Sequence, residues 1–138
     1  MTDFNRPILI VDDVPTFRQL MSSLLLTIGY DTIIEAKDGQ EAMAILIKFE
    51  KMNDPIYAVI SDWNMPIVGG LELLKMIRVS GVKDIENVPF LMVTTNNEKE
   101  NVLEAVEQGA DNYLVKPVTL ESLELKLKKV LLFKKAIH

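Results

Sequence analysis

Five short runs rich in β-branched and aromatic residues recur along the chain, each followed by a longer amphipathic segment, and this alternation narrows the fold more than any other feature. The runs are Ile8–Val11, Thr32–Ile34, Tyr57–Ile60, Phe90–Thr94 and Tyr113–Val115. The first and third are almost continuously apolar, as strands are when a parallel sheet is covered on both faces. The pattern predicts an α/β domain: an open, doubly wound parallel sheet of five strands with five helices on right-handed crossovers. The helices have legible ends. Pro15 suits the first turn of one, and Gly29 stands where it would stop. Asp38 and Glu41 read as a capping box, as do Asn97 and Glu100, whose helix runs out at Gly109. Leu71, Leu74, Ile77 and Arg78 mark a third pattern ending at Gly81. Thr119 caps the last, in which Leu120, Leu123, Leu127, Val130 and Leu131 share one stripe.

With 138 residues, 49% of them hydrophobic and 25% charged, residues 1–138 are expected to form one packed domain. There is no cysteine, which excludes disulfides, thiolate metal sites and cysteine nucleophiles. The net charge of −5 argues against a nucleic-acid or anionic-membrane footprint. No apolar run is long enough to span a bilayer, and Ile8–Val11 stops at two aspartates, unlike a signal peptide. The expectation is a cytoplasmic domain.

Sheets of this kind bind ligands beyond the carboxyl ends of their strands. The first run ends in Asp12-Asp13, the third in Asp62, the fourth in Thr94-Thr95 and the fifth in Lys116-Pro117. Each has an ordinary explanation: the aspartates as caps or turn residues, Thr94 as a strand residue, Lys116 as a solvated charge. Their joint placement on one rim favours chemistry. Three neighbouring carboxylates repel by several kcal/mol at an intermediate dielectric, and one lysine does not neutralise them. A divalent hard cation does, and so few carboxylates fit Mg²⁺ better than a Ca²⁺ cage. The only histidine is the terminal His138, which removes His-based catalysis and transition-metal sites. Carboxylate, Mg²⁺, Lys and Thr together are equipped for phosphoryl transfer to a carboxylate oxygen. Asp62 is the candidate nucleophile because it stands alone on its strand. Asp12 and Asp13 are placed to share the metal, and Thr94 to bond a phosphoryl oxygen present only after transfer.

Val11-Asp12-Asp13, Ile60-Ser-Asp62-Trp-Asn-Met-Pro66, Met92-Val-Thr94 and Tyr113-Leu-Val-Lys116-Pro117 resemble the response-regulator receiver domain, in the right order over nearly the whole chain. More narrowly, Ser61 to Pro66 followed by Gly70-Leu-Glu-Leu-Leu-Lys75 resembles chemotaxis response regulators of the CheY type. The resemblance, not the periodicity, implies a flavodoxin-like sheet of order 2-1-3-4-5 and a single receiver domain without an output domain. It implies that Asp62 accepts phosphoryl from a histidine kinase of the CheA type. Asp12 or Asp13, Asp62 and the backbone carbonyl of Asn64 would hold Mg²⁺. Lys116 would contact the phosphoryl group across a cis bond to Pro117, and Thr94 with Tyr113 would form the switch. Asn64 and Asn96 lie where the family tunes dephosphorylation, by itself or with a phosphatase partner. The fourth helix, fifth strand and fifth helix would bind a flagellar motor switch protein or another protein target.

Several residues depart from the family pattern. Val14-Pro15 replaces a common Phe-Ser, Ile67-Val-Gly69 lacks the usual acid before Gly70, and Val118 stands for a common Phe. The stretch Val79–Val88 is longer than in close relatives. Trp63, next to Asp62, reads as either a packed aromatic or a reporter of Mg²⁺. Met21, Met43, Met65, Met76 and Met92 are scattered and read, for the most part, as core filling, and the lysines from Lys126 to Lys135 as a solvated helix end. On the last helix, Leu125 and Leu132 fall opposite the core stripe, a strip for a partner or for a second copy of an otherwise monomeric chain. Other readings are a phosphorelay shuttle to a histidine phosphotransfer protein and, in a different class, a small Asp-nucleophile phosphatase, whose Asp-x-Asp pair is missing because Asn64 follows Asp62. A flavin carrier lacks its phosphate loop after the first strand.

Overall fold

The computed structural model describes residues 3–95 and 99–137, with side chains over 3–95 and 102–133. The chain runs β1 (Ile8–Val11), α1 (Pro15–Ile28), β2 (Ile33–Ala36), α2 (Gly39–Lys51), β3 (Ala58–Asp62), α3 (Gly70–Arg78), α4 (Lys83–Glu86), β4 (Phe90–Thr94), α5 (Lys99–Glu107), β5 (Asn112–Val115) and α6 (Leu120–Ile137). All four strand pairings are parallel, in the order β2-β1-β3-β4-β5. No helix among the described residues is long and apolar enough to cross a membrane.

Alternation along the buried strands separates two core layers. Leu9, Val11, Val59, Phe90 and Met92 meet Ala42 and Leu46 of α2, Leu73, Leu74 and Ile77 of α3, and Ala105 of α5. Ile8, Ile10, Ile60, Leu91 and Val93 face the other way, onto Met21 and Leu25 of α1 and Leu123, Leu127 and Val130 of α6. The expected caps form. Pro15 occupies the start of α1, and Gly29 closes it at φ 132°. The Glu41 amide donates to the Asp38 carboxylate at 2.8 Å, while the Glu41 carboxylate reaches back to the Lys37 amide. Thr119 and Ser122 cap α6 reciprocally. The capping box expected at Asn97 involves residues outside those described.

One expectation is corrected. There are six helices among the described residues, not five. The third helix stops at Arg78, and the long stretch after it holds the single turn α4, whose Ile85 is buried in the first core layer. One apolar residue in a four-residue turn leaves no periodicity to read. The same region hides the main structural ion pair. The Arg78 guanidinium donates to the carbonyls of Gly109, Glu86 and Val88 and, at 3.1 Å, to the Asp111 carboxylate. Asp111 also accepts from the Phe90 amide at 2.8 Å. Arg78 thus ties α3 to α4, β4 and the α5–β5 loop.

Candidate functional site

Strand register assembles the site. Val11 of β1 lies opposite Ser61 of β3, so Asp12 emerges level with Asp62. Asp62 pairs with Val93, putting Thr94 one residue further along β4, and Thr94 pairs with Val115, putting Lys116 just beyond. The Lys116 amide donates to the Thr94 carbonyl at 2.8 Å, continuing the ladder to the rim. Carboxylate oxygens of Asp12, Asp13 and Asp62 all lie within 4.8 Å of one another.

Their environments differ. Asp13 is exposed, Asp62 is half-buried and Asp12 is fully buried. One Asp12 oxygen accepts from the Val14 amide at 2.8 Å; the other, Oδ2, receives no hydrogen bond among the described residues. The Lys116 ammonium is 3.3 Å from Asp62 Oδ1 but 3.7 Å from Asp12 Oδ2, an ion-pair distance too long for a hydrogen bond. Burial pushes the Asp62 carboxyl up to about 6, against the opposing pull of Lys116 and with the help of Asp12. Asp12 is also raised, chiefly by burial, with the Val14 amide and Lys116 opposing. At both carboxyls burial disfavours the charged form by more than Lys116 restores it.

Thr94 is buried at the end of β4, beside the acidic rim. Tyr113 sits two residues before Val115 on β5, opposite Met92, with the Lys126 ammonium over its ring at 4.7 Å. The Lys116–Pro117 bond is cis, as expected. Asn64 lies in the β3–α3 loop, and Asn96 lies outside the described residues. Leu125 and Leu132 are 52% and 59% exposed on α6.

That loop is held tightly. The Trp63 amide donates to the Val93 carbonyl, the Gly70 amide to the Trp63 carbonyl, and the Gly39 amide to the Val68 carbonyl. A Cβ on Gly70 would collide with the Asp62 carbonyl oxygen, so glycine is required for α3 to start directly beneath the site. Ile67 takes φ 67°, a conformation that a β-branched residue adopts only under strain, while its side chain is 76% exposed. Ile67→Asn is therefore expected to raise stability by about 1 kcal/mol, read from urea unfolding. A loss of stability instead would mean that the isoleucine contacts outweigh the backbone strain.

A receiver-domain family model, described as "Response regulator receiver domain", matches residues 8–128. The chain belongs to the response-regulator receiver family. Among receiver relatives, a chemotaxis protein CheY homolog of Campylobacter jejuni is 41% identical over 124 residues, covering 90% of this chain and 91% of that one. The chemotaxis response regulator CheY4 of Vibrio cholerae superposes with a TM-score of 0.77 at 34% identity, over 91% of this chain and 98% of its own. A CheY solved in a CheX-CheY-BeF3-Mg complex from Borrelia burgdorferi gives 0.77 at 25% identity, over 91% and 88%. The chain is thus a receiver of the CheY type, and its aspartate cluster fits the phosphoacceptor site of a receiver.

Sequence reasoning missed two neighbours of the site on α1, Phe17 and Arg18. The Lys116 ammonium lies over the Phe17 ring at 4.3 Å. Arg18 donates to the Asp12 carbonyl at 2.6 Å and to Glu35 at 2.9 Å. Phe17 and Arg18 occupy the first turn of a helix that starts three residues after Asp12, a spacing that returns them to the strand end.

Proposed function

We propose that the protein is a cytoplasmic response regulator in which Asp62 accepts a phosphoryl group from a CheA-type histidine kinase and thereby switches a protein-binding face. The observation that carries this reading is the pairing of a half-buried Asp62 with Lys116 at 3.3 Å, beside the buried Asp12 oxygen that accepts no hydrogen bond among the described residues. An Asp62 oxygen attacks phosphorus, the bond from phosphorus to the donor's imidazole nitrogen breaks, and that electron pair leaves with the imidazole. Lys116 meets an equatorial phosphoryl oxygen and offsets part of its charge. Thr94 then hydrogen-bonds the new phosphoryl group, and Tyr113 responds as the other half of the switch.

The donor set suits Mg²⁺. Asp12, Asp13, Asp62 and the Asn64 carbonyl would hold it: all are oxygen donors, and the buried Asp12 Oδ2, which accepts no hydrogen bond among the described residues, is what a hard cation would satisfy. Bound there, the ion supplies the charge neutralisation that lets a dianion approach three carboxylates.

The outcome of switching is binding. The face formed by α5, β5 and α6, with Leu125 and Leu132 exposed on α6, would engage a flagellar motor switch protein or another target. The Campylobacter relative supports a chemotactic role, and the Borrelia complex supports a protein partner.

The test is mass spectrometry after incubation with acetyl phosphate and Mg²⁺. One phosphoryl unit on Asp62, absent from Asp62→Asn and without sustained turnover of a phosphomonoester, is the expected result. A label elsewhere, or none, overturns the assignment; continuous phosphomonoester hydrolysis would make the protein a phosphatase.

A further inference from the structure

The Lys116 ammonium is held at the rim by three attractions of different kinds: Asp62 at 3.3 Å, Asp12 at 3.7 Å and the Phe17 ring at 4.3 Å. Its side chain is 27% exposed, so water competes for it. The two carboxylate attractions weaken whenever a carboxylate takes up a proton, a cation or a phosphoryl group. The ring attraction does not, because the quadrupole of an aromatic face carries no titratable charge.

Phe17 is itself well placed. It packs against the second core layer, and its amide donates to the Val14 carbonyl at 3.1 Å in the first turn of α1. The next residue, Arg18, fastens that turn to the end of β1 through the Asp12 carbonyl. The ring therefore faces the site from a fixed turn rather than from a loose loop.

We infer that Phe17 is a positioning residue for phosphoryl transfer: its ring face seats the Lys116 ammonium at the rim whatever the charge carried by the carboxylates. The inference rests on the receiver reading above and deepens it. Without the ring, the ammonium spends more of its time in solvent-facing rotamers. The competent fraction, and the transfer rate with it, falls in proportion.

Two variants separate ring from bulk. Phe17→Leu keeps an apolar side chain against the core, and Phe17→Tyr keeps the ring. The readouts are the initial rate of labelling by acetyl phosphate over a range of donor concentrations and, in the protein without Mg²⁺ or donor, the proton shifts of the Lys116 ε-methylene. In the wild-type protein those protons are expected upfield of the other lysines, under the ring current of Phe17. Phe17→Leu should abolish the shift and slow labelling about five- to tenfold, the scale of one partly desolvated cation–π contact. Phe17→Tyr should restore both.

The inference is overturned if wild-type Lys116 resonates with the other lysines, a result independent of whether the Leu variant folds. It is equally overturned if Phe17→Leu labels at the wild-type rate or if Phe17→Tyr is as slow as Phe17→Leu. A wild-type protein that takes no label sinks the phosphoacceptor reading, and this inference with it. Normal labelling with an indifferent Phe17→Leu sinks the inference alone.

Discussion

Arg78→Met is expected to cost the fold about 3–5 kcal/mol, because removing the guanidinium leaves the buried Asp111 charge without its counter-ion. The Asp111 side chain is only 4% exposed and that of Arg78 15%, so solvent does little to relieve either. Burial lowers the affinity of Arg78 for its proton, and Asp111 opposes that shift. The substitution also strips a donor from the carbonyls of Gly109, Glu86 and Val88. Methionine preserves most of the aliphatic stem, so the loss reports the guanidinium rather than a cavity. Urea unfolding is the measurement. Adding Asp111→Asn to the variant should recover part of the loss, since an amide is cheaper than a carboxylate to bury without a neighbouring cation. A change below about 1 kcal/mol would class the pair with exposed salt bridges and remove it from the framework.

The second large effect concerns the acidic rim without metal. Burial raises the Asp62 carboxyl to about 6, above an unfolded value of about 4. The folded state therefore holds this proton more tightly than the unfolded chain does. The stability that this contributes is fully present below about pH 4 and is lost as pH rises through about 6. Asp12, raised for the same leading reason, reinforces the sign. Asp62→Asn cannot ionise. In EDTA it should match the wild-type protein near pH 4 and exceed it by about 3 kcal/mol at pH 7, two pKa units converted to free energy. Millimolar Mg²⁺ at pH 7 should close the gap, by stabilising the wild-type fold through binding that the variant has weakened. If the variant is less stable than the wild-type protein at pH 7 without metal, Asp62 serves the structure and the charge argument fails.

What could be read in advance follows from the geometry of parallel strands. Asp12, Asp62, Thr94 and Lys116 were legible because each directly ends an apolar run, and parallel strands bring those ends to one rim. The strand order was legible only through family resemblance, since periodicity does not say which strands are neighbours. Arg78 was hidden inside a correct pattern: an arginine at the end of an amphipathic helix reads as surface, and only the fold brings Asp111 to it. Phe17 was hidden for the converse reason, because an aromatic residue on a helix reads as core. Helix α4 was missed because one buried isoleucine has no period.

Strand order also determines how the acidic rim is roofed. After β1 the chain turns to α1, on one side of the sheet; after β3 it turns to α3, on the other. The two connections therefore part directly above Asp12 and Asp62, like curtains drawn to opposite walls. On the function proposed above, a small phosphodonor and a bulky kinase domain would share this doorway, so selectivity among donors would fall to the surfaces around the opening and not to the chemistry inside it.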